Sequence, residues 1–133
     1  MNFFIHKLHI SEKETMIEIN NLVSADIKKS GIQNGIAILY CPHSTASITI
    51  ANNDPHVMMD LMVNYKKNIP TKDPKYTHEE GNSAAHIKSS TLGISVTVII
   101  NDGKMMLGQW QDIFFCDFDG PRDREFFVKI LEG

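Results

Sequence analysis

Residues 94–118 read ISVTVIINDGKMMLGQWQDIFFCDF. ISVTVII is rich in β-branched residues and has the length of one strand. The Asp102-Gly103 pair that follows supplies the positive backbone angles a tight hairpin needs. MMLGQWQDIFFCDF then reads as the returning strand, with Gly108 inside it marking a bulge or a close backbone approach. A strand that turns back on itself makes an antiparallel pair, so this stretch sets the expected sheet type.

Outward from the hairpin the same logic holds. Residues 3–10 alternate polar and apolar side chains and read as a strand, and TMIEI (15–19) as a short extended piece. Ile19, Leu22, Val23 and Ile27 fall on one helical face, with Lys28 and Lys29 toward its end and Gly31 as the stop. IAILYC (36–41) is a continuous apolar run, and STASITI (44–50) alternates in period two, so His43 falls at a joint between two strands. Asp54 and Pro55 suit the cap and first position of a helix whose apolar stripe is Val57, Met58, Leu61, Met62 and Tyr65, a stripe expected to pack on the core. NIPTKDPKYTHEEG (68–81) has the composition of a long connection. Asn82 caps a short helix, SAAHIKSSTL, that Gly93 ends. The tail turns at Gly120-Pro121 into a last strand. Strands broken by about three short helices predict a single α+β domain over 1–133, with a mainly antiparallel, β-sandwich-like core.

The bulk composition excludes several classes. The chain has 133 residues, 42% hydrophobic and 22% charged, with 13 basic against 16 acidic side chains. A net charge of -3 leaves no basic footprint for nucleic acid or an anionic membrane surface. No stretch approaches the ~20 apolar residues of a membrane span, and the amino-terminal segment reads as a strand rather than a leader, so a cytoplasmic location is expected. Cys41 and Cys116 each end an apolar run and have no CxxC partner, which predicts two buried reduced thiols. Trp110 is expected in the core, and His6, His9 and His56 as ordinary surface or boundary residues.

The chemistry-bearing residues concentrate elsewhere. His43, His78 and His86 sit at the starts or joints of elements, and three imidazoles with an open position are a catalytic metal arrangement. Generic motifs do not account for them. HEEGN lacks the second histidine of a zinc protease, because position 82 is Asn82. The HxE at 78–80 has no PCxxC to complete a zinc deaminase, and GNSAAHIKSS has no second glycine for a phosphate loop. What remains is a helix start at Asn82 and Ser83 whose backbone donors suit a phosphate or carboxylate, with Lys88 one to two turns on. Glu80 suits a general base or a carboxylate that orients His78, and equally an acid placed before a helix N-terminus. Arg122 and Arg124 offer bidentate phosphate contacts, with Asp117 or Asp119 nearby as a counter-charge or metal ligand, and for Arg124 surface ion pairing is the commoner outcome.

PHSTASITI, YTHEEGNSAAHIKSS, LGISVTV and LGQWQDIFFCDFDGPR, in this order, resemble the YjbQ-like family, also called secondary thiamine-phosphate synthases. The likeness is clearest from about residue 36 onward. It implies an α+β fold around a β-sandwich, a homotrimer, and a histidine site for a divalent ion, zinc or magnesium-like. The family's histidines fall on His43, His78 and His86, its acid, glycine and asparagine on Glu80, Gly81 and Asn82, and its Gly-Pro-Arg turn on Gly120, Pro121 and Arg122. Ser44 stands where the family usually has threonine, Gln109 where it tends to have a small hydroxyl residue, and ANNDP is a shortened segment without the family's glutamate. The activity implied joins a pyrimidine methyl diphosphate to a thiazole phosphate with release of diphosphate. The expected function is therefore metal-assisted chemistry on a small phosphorylated metabolite, with His78 and Glu80 catalytic and Asn82, Ser83, Lys88 and Arg122 holding the ligand. The alternative is a non-catalytic protein that binds a metal or metabolite in the same pocket.

Overall fold

The computed structural model describes residues 2–133. Eight strands and three helices follow one another as β1 (Phe3–Ile10), β2 (Thr15–Glu18), α1 (Asn20–Ser30), β3 (Gly35–Tyr40), β4 (Ala46–Asn52), α2 (Pro55–Asn68), α3 (Ser83–Leu92), β5 (Ser95–Asn101), β6 (Lys104–Met105), β7 (Gln111–Asp117) and β8 (Arg122–Glu132). They form a five-stranded sheet, β1-β8-β3-β5-β6, and a three-stranded sheet, β2-β7-β4. Every strand pair is antiparallel. The fold is α+β, as the alternation of strands and short helices predicts.

Period-two alternation explains the layering. In the larger sheet Leu39, Val98, Phe126, Val128 and Ile130 point inward and meet Ile48, Ile113 and Phe115 of the smaller sheet, with Val23 and Ile27 of α1 joining them. The opposite side chains of β7, Phe114 and Cys116, face the other way with Phe118 and are covered by Ala85 of α3 and Met58, Met62 and Tyr65 of α2. β7 is buried on both faces. That is why IFFC (113–116) reads as an unbroken apolar run rather than an alternating one.

Local signals act as the sequence predicts at several ends. Gly31 closes α1 at φ 72°, a left-handed angle that costs a side chain-bearing residue about 1–2 kcal/mol. Asp54 accepts the His56 N–H at 2.8 Å at the start of α2, and the hairpin turns on Asp102 and Gly103, both at positive φ.

Three expectations are corrected. The returning strand after Gly103 pairs only through Lys104–Met105, after which the chain leaves the larger sheet and re-enters as β7 in the smaller one. Only the second half of that stretch, from Ile113 on, carries enough apolar surface to be buried on both sides, so the hairpin partner and the core strand are separate pieces. Trp110 lies in that crossing and is 61% exposed rather than in the core. The stripe of α2 packs on the core as expected, through Met58, Met62 and Tyr65, and is half-buried there because the helix covers one side of the smaller sheet and faces outward on the other. His6 is not an ordinary boundary residue: its Nε2 pairs at 2.5 Å with Asp26, which is 2% exposed, tying β1 to α1.

Candidate functional site

The candidate residues gather where the carboxyl end of β3, the start of α3 and the β7–β8 turn meet. His43 follows Pro42 just after β3 and lies across from β8. Its Nε2 is 3.1 Å from the Glu125 carbonyl and 3.0 Å from the Glu125 amide. The Glu125 N–H donates to the Nε2 lone pair, so the neutral ring carries its proton on Nδ1. Burial first, and then the nearby Arg124 guanidinium, push the His43 pKa below its usual value, so the ring is held neutral.

His78 and Glu80 are delivered by the connection after α2. A turn closed by the Gly81 N–H to the His78 carbonyl, with Gly81 at φ 73°, brings the two side chains together, and His78 Nε2 is 3.8 Å from Glu80 Oε2. His86, in the first turn of α3, stands edge-on to His78 with ring centroids 5.3 Å apart. Two depressions adjoin here. One, of about 310 Å³, is lined by His43, Ser44, Glu80, Asn82, His86, Arg122 and Arg124. The other, of about 490 Å³, is lined by Tyr76, His78, Ser83, His86 and Ile87. His86 is the wall they share.

The structure thus brings His43, Glu80, Asn82, His86 and Arg122 to one pocket and His78 and Ser83 to its neighbour. Lys88 sits apart. It is 2% exposed, donates to Glu14 Oε2 at 2.7 Å, and lines a narrower pocket behind Asn82. Its ammonium is therefore already paired, where the sequence suggested an anion contact beside the histidines. Asn82 also behaves differently from a cap. Its Nδ2 donates to Asp119 Oδ2 at 2.9 Å and its side chain makes no bond to the helix start. Its Oδ1 is buried without a partner, which costs about 1–3 kcal/mol.

Arg124 overturns the surface reading. It is 4% exposed, and its guanidinium is bound by the fully buried Asp117 at 2.7 and 3.0 Å and by Thr45 Oγ1 at 2.7 Å. The sequence signal lies in the spacing: Arg122 and Arg124 are two apart, and residues i and i+2 of a strand share a face. Asp119 holds Arg122 and Lys13. Burial works to raise its pKa, but the Asn82 amide, Lys13 and Arg122 outweigh that and keep it lowered, so the carboxylate stays charged. Burial pushes the Cys41 thiol up to about 11 and the Cys116 thiol up to about 12, which leaves both unionised and without nucleophilic character at neutral pH.

The donor types suit a divalent ion. Two neighbouring imidazoles, a third across the shared wall and a carboxylate are zinc-type ligands. The fit is one of donor chemistry and neighbourhood: among the described residues no three histidine, cysteine, aspartate or glutamate side chains converge as a finished cage.

Comparison with known proteins gives the lineage. The profile described as "UPF0047 protein YjbQ-like" matches residues 5–133. The chain belongs to the YjbQ-like family. Among its relatives, a UPF0047 protein of Methanocaldococcus jannaschii is 47% identical over 129 residues, covering 96% of this chain and 93% of that one. The UPF0047 protein YugU of Bacillus subtilis is 43% identical over 126 residues, covering 94% and 96%. A crystal structure of an uncharacterized YjbQ/UPF0047 family protein from Clostridium acetobutylicum is 48% identical with a TM-score of 0.93, covering 96% of this chain and 99% of that chain. A protein of unknown function from Sulfolobus solfataricus, 29% identical, matches with a TM-score of 0.94 over 98% and 96%. The YjbQ-like fold is therefore kept while about seven side chains in ten change. The YjbQ-like profile also takes in β1, which the sequence blocks quoted above do not reach.

Proposed function

We propose that this YjbQ-like protein is a metal-assisted enzyme acting on a small phosphorylated metabolite bound in the His43–His86 pocket. The observation that carries the reading is the lining itself: two imidazoles, a carboxylate and two guanidiniums around one depression of about 310 Å³, within the size of small-molecule sites. His43, His78 and His86 are the ligands we assign to a divalent ion, zinc or magnesium-like. When bound, that ion would offset negative charge on a departing phosphate group.

The chain's own residues divide the remaining work. Arg122 and the α3 start with Asn82 and Ser83 hold the anion. Glu80, exposed and beside His78, moves a proton, and His78 holds the carboxylate in place. The finer assignment is a weak thiamine-phosphate synthase, which transfers a pyrimidine methyl group and releases diphosphate. We further propose a homotrimer, supported by the outward face of the larger sheet, where Ile5, Tyr40, Ile99 and Leu131 are exposed beside Phe127. A cytoplasmic location fits two buried, unbridged cysteines, and no helix among the described residues is long and apolar enough to cross a membrane.

The test is metal-dependent diphosphate release from the pyrimidine methyl diphosphate in the presence of the thiazole phosphate. Glu80→Gln and His86→Ala should each lower the rate by about 10²-fold or more. A wild-type protein that binds the diphosphate ester, with or without zinc, yet releases nothing would overturn the enzyme reading in favour of a binding protein.

A further inference from the structure

Of the 13 basic side chains in the chain only two are arginines, Arg122 and Arg124, and both line the same pocket. They leave β8 on the same face, two residues and so roughly 7 Å apart. Each is gripped along one edge by its own aspartate across the β7–β8 turn. Asp119 takes Arg122 Nη2 through Oδ2 at 2.9 Å and Nε through its main-chain carbonyl at 3.0 Å. Asp117 takes Arg124 Nε and Nη2 at 2.7 and 3.0 Å. The turn that nests these two pairs depends on Gly120, where a Cβ would lie 1.9 Å from the Glu12 carbonyl oxygen.

This gripping leaves the same atom over in both residues. Among the described residues, Nη1 of neither guanidinium has a hydrogen-bond partner. Arg124 is almost wholly buried, yet the buried side-chain nitrogens and oxygens without a partner are, among the described residues, only Ser47 Oγ and Asn82 Oδ1. Arg124 Nη1 therefore keeps a small accessible surface, and Arg124 lines both this pocket and a second one shared with His43, Leu8 and Glu125. Lysine could serve an ion pair with either aspartate, but its ammonium lacks the planar fork that grips a carboxylate along one edge and aims donors in a fixed direction from the other.

From this we infer that Arg122 and Arg124 form a twin-arginine clamp for the ligand's phosphoryl oxygens, with Asp117 and Asp119 as positioning residues. The inference rests on the phosphorylated-ligand reading above and adds Arg124 to it. Each arginine is charge-balanced by its aspartate, so the clamp works through aimed N–H donors more than through net charge. That favours an anion with two or more oxygens free to accept, as a phosphoryl group has, over a monatomic anion.

Two arginines mean two guanidinium signals, which makes the test direct. The full chain, labelled with ¹⁵N at arginine, is titrated with inorganic phosphate and the guanidinium resonances are followed, Arg124→Lys serving both to assign them and to weaken the clamp. Both signals should shift with one common midpoint, chloride at equal ionic strength should shift neither, and Arg124→Lys should weaken phosphate by about 10- to 100-fold. If only the Arg122 signal moves, Arg124 is structural and the clamp is refuted while the pocket reading stands. If neither moves, the phosphate pocket fails as well. The wild-type titration decides between these outcomes even if the lysine variant does not fold.

Discussion

At the scale of single residues, His43 is the position where environment changes chemistry most. The same burial and Arg124 field that keep the ring neutral also link its protonation to folding. Because its pKa is lowered in the folded state, the unfolded chain binds the proton more readily. Its contribution to stability is complete above the unfolded value, about 6.5, and is lost as pH falls from there through the lowered folded value. Urea unfolding between pH 7.5 and 5 should show stability falling with acid, and His43→Gln should flatten that part of the slope. An unchanged slope in the variant would mean other groups govern it. Lys88 makes the complementary point. Its type and spacing suit an anion contact, but a lysine reaches several ångströms, and only the packed structure reveals that Glu14 has claimed it.

At the scale of elements, the strap formed by residues 11–14 explains how the pocket's far wall is held. Lys13 Nζ reaches Asp119 at 2.8 Å, the Lys13 carbonyl accepts the Gly120 N–H at 2.9 Å, and Glu14 meets Lys88 of α3. Contact is closest at Gly120, and the atom opposing an added Cβ is backbone, which cannot rotate aside. Gly120→Ala should therefore destabilise the chain by about 1–3 kcal/mol, seen as a lower urea midpoint with unchanged m, and should weaken phosphate binding through Arg122. A variant as stable as the wild type would show that the strap gives way freely. Helix boundaries, by contrast, follow local chemistry: Asp54 with Pro55 and Gly31 work at the ends the sequence assigns to them. The long strand after Gly103 was not legible as two pieces, since its apolar residues look alike whichever sheet receives them.

At the scale of the whole molecule, one face of the larger sheet has no layer over it among the described residues. Phe127 lies between Phe3 and Tyr40, with ring centroids 5.7 and 6.4 Å away, on a surface that also exposes Ile5 and Ile99. If copies of the chain pack there, a charge at its centre should separate them. Sedimentation equilibrium should give a trimer for the wild type and a monomer for Phe127→Lys, whose fold, judged by circular dichroism, should persist because the side chain lies outside the core. A monomeric wild type would remove the assembly proposal.

The sequence by itself determined the class of fold, the antiparallel pairing and the ends of most helices, because periodicity, turn residues and caps act over a few neighbouring positions. Tertiary structure alone decided which side chains share a pocket. It made Arg124 a buried partner of Asp117, set Asn82 against Asp119, placed His86 between two depressions and committed Lys88 to Glu14. Those outcomes depend on residues far apart in the chain, 79 positions for Thr45 and Arg124 and 106 for Lys13 and Asp119, and they are fixed by burial and by the cost of leaving a buried charge unpaired.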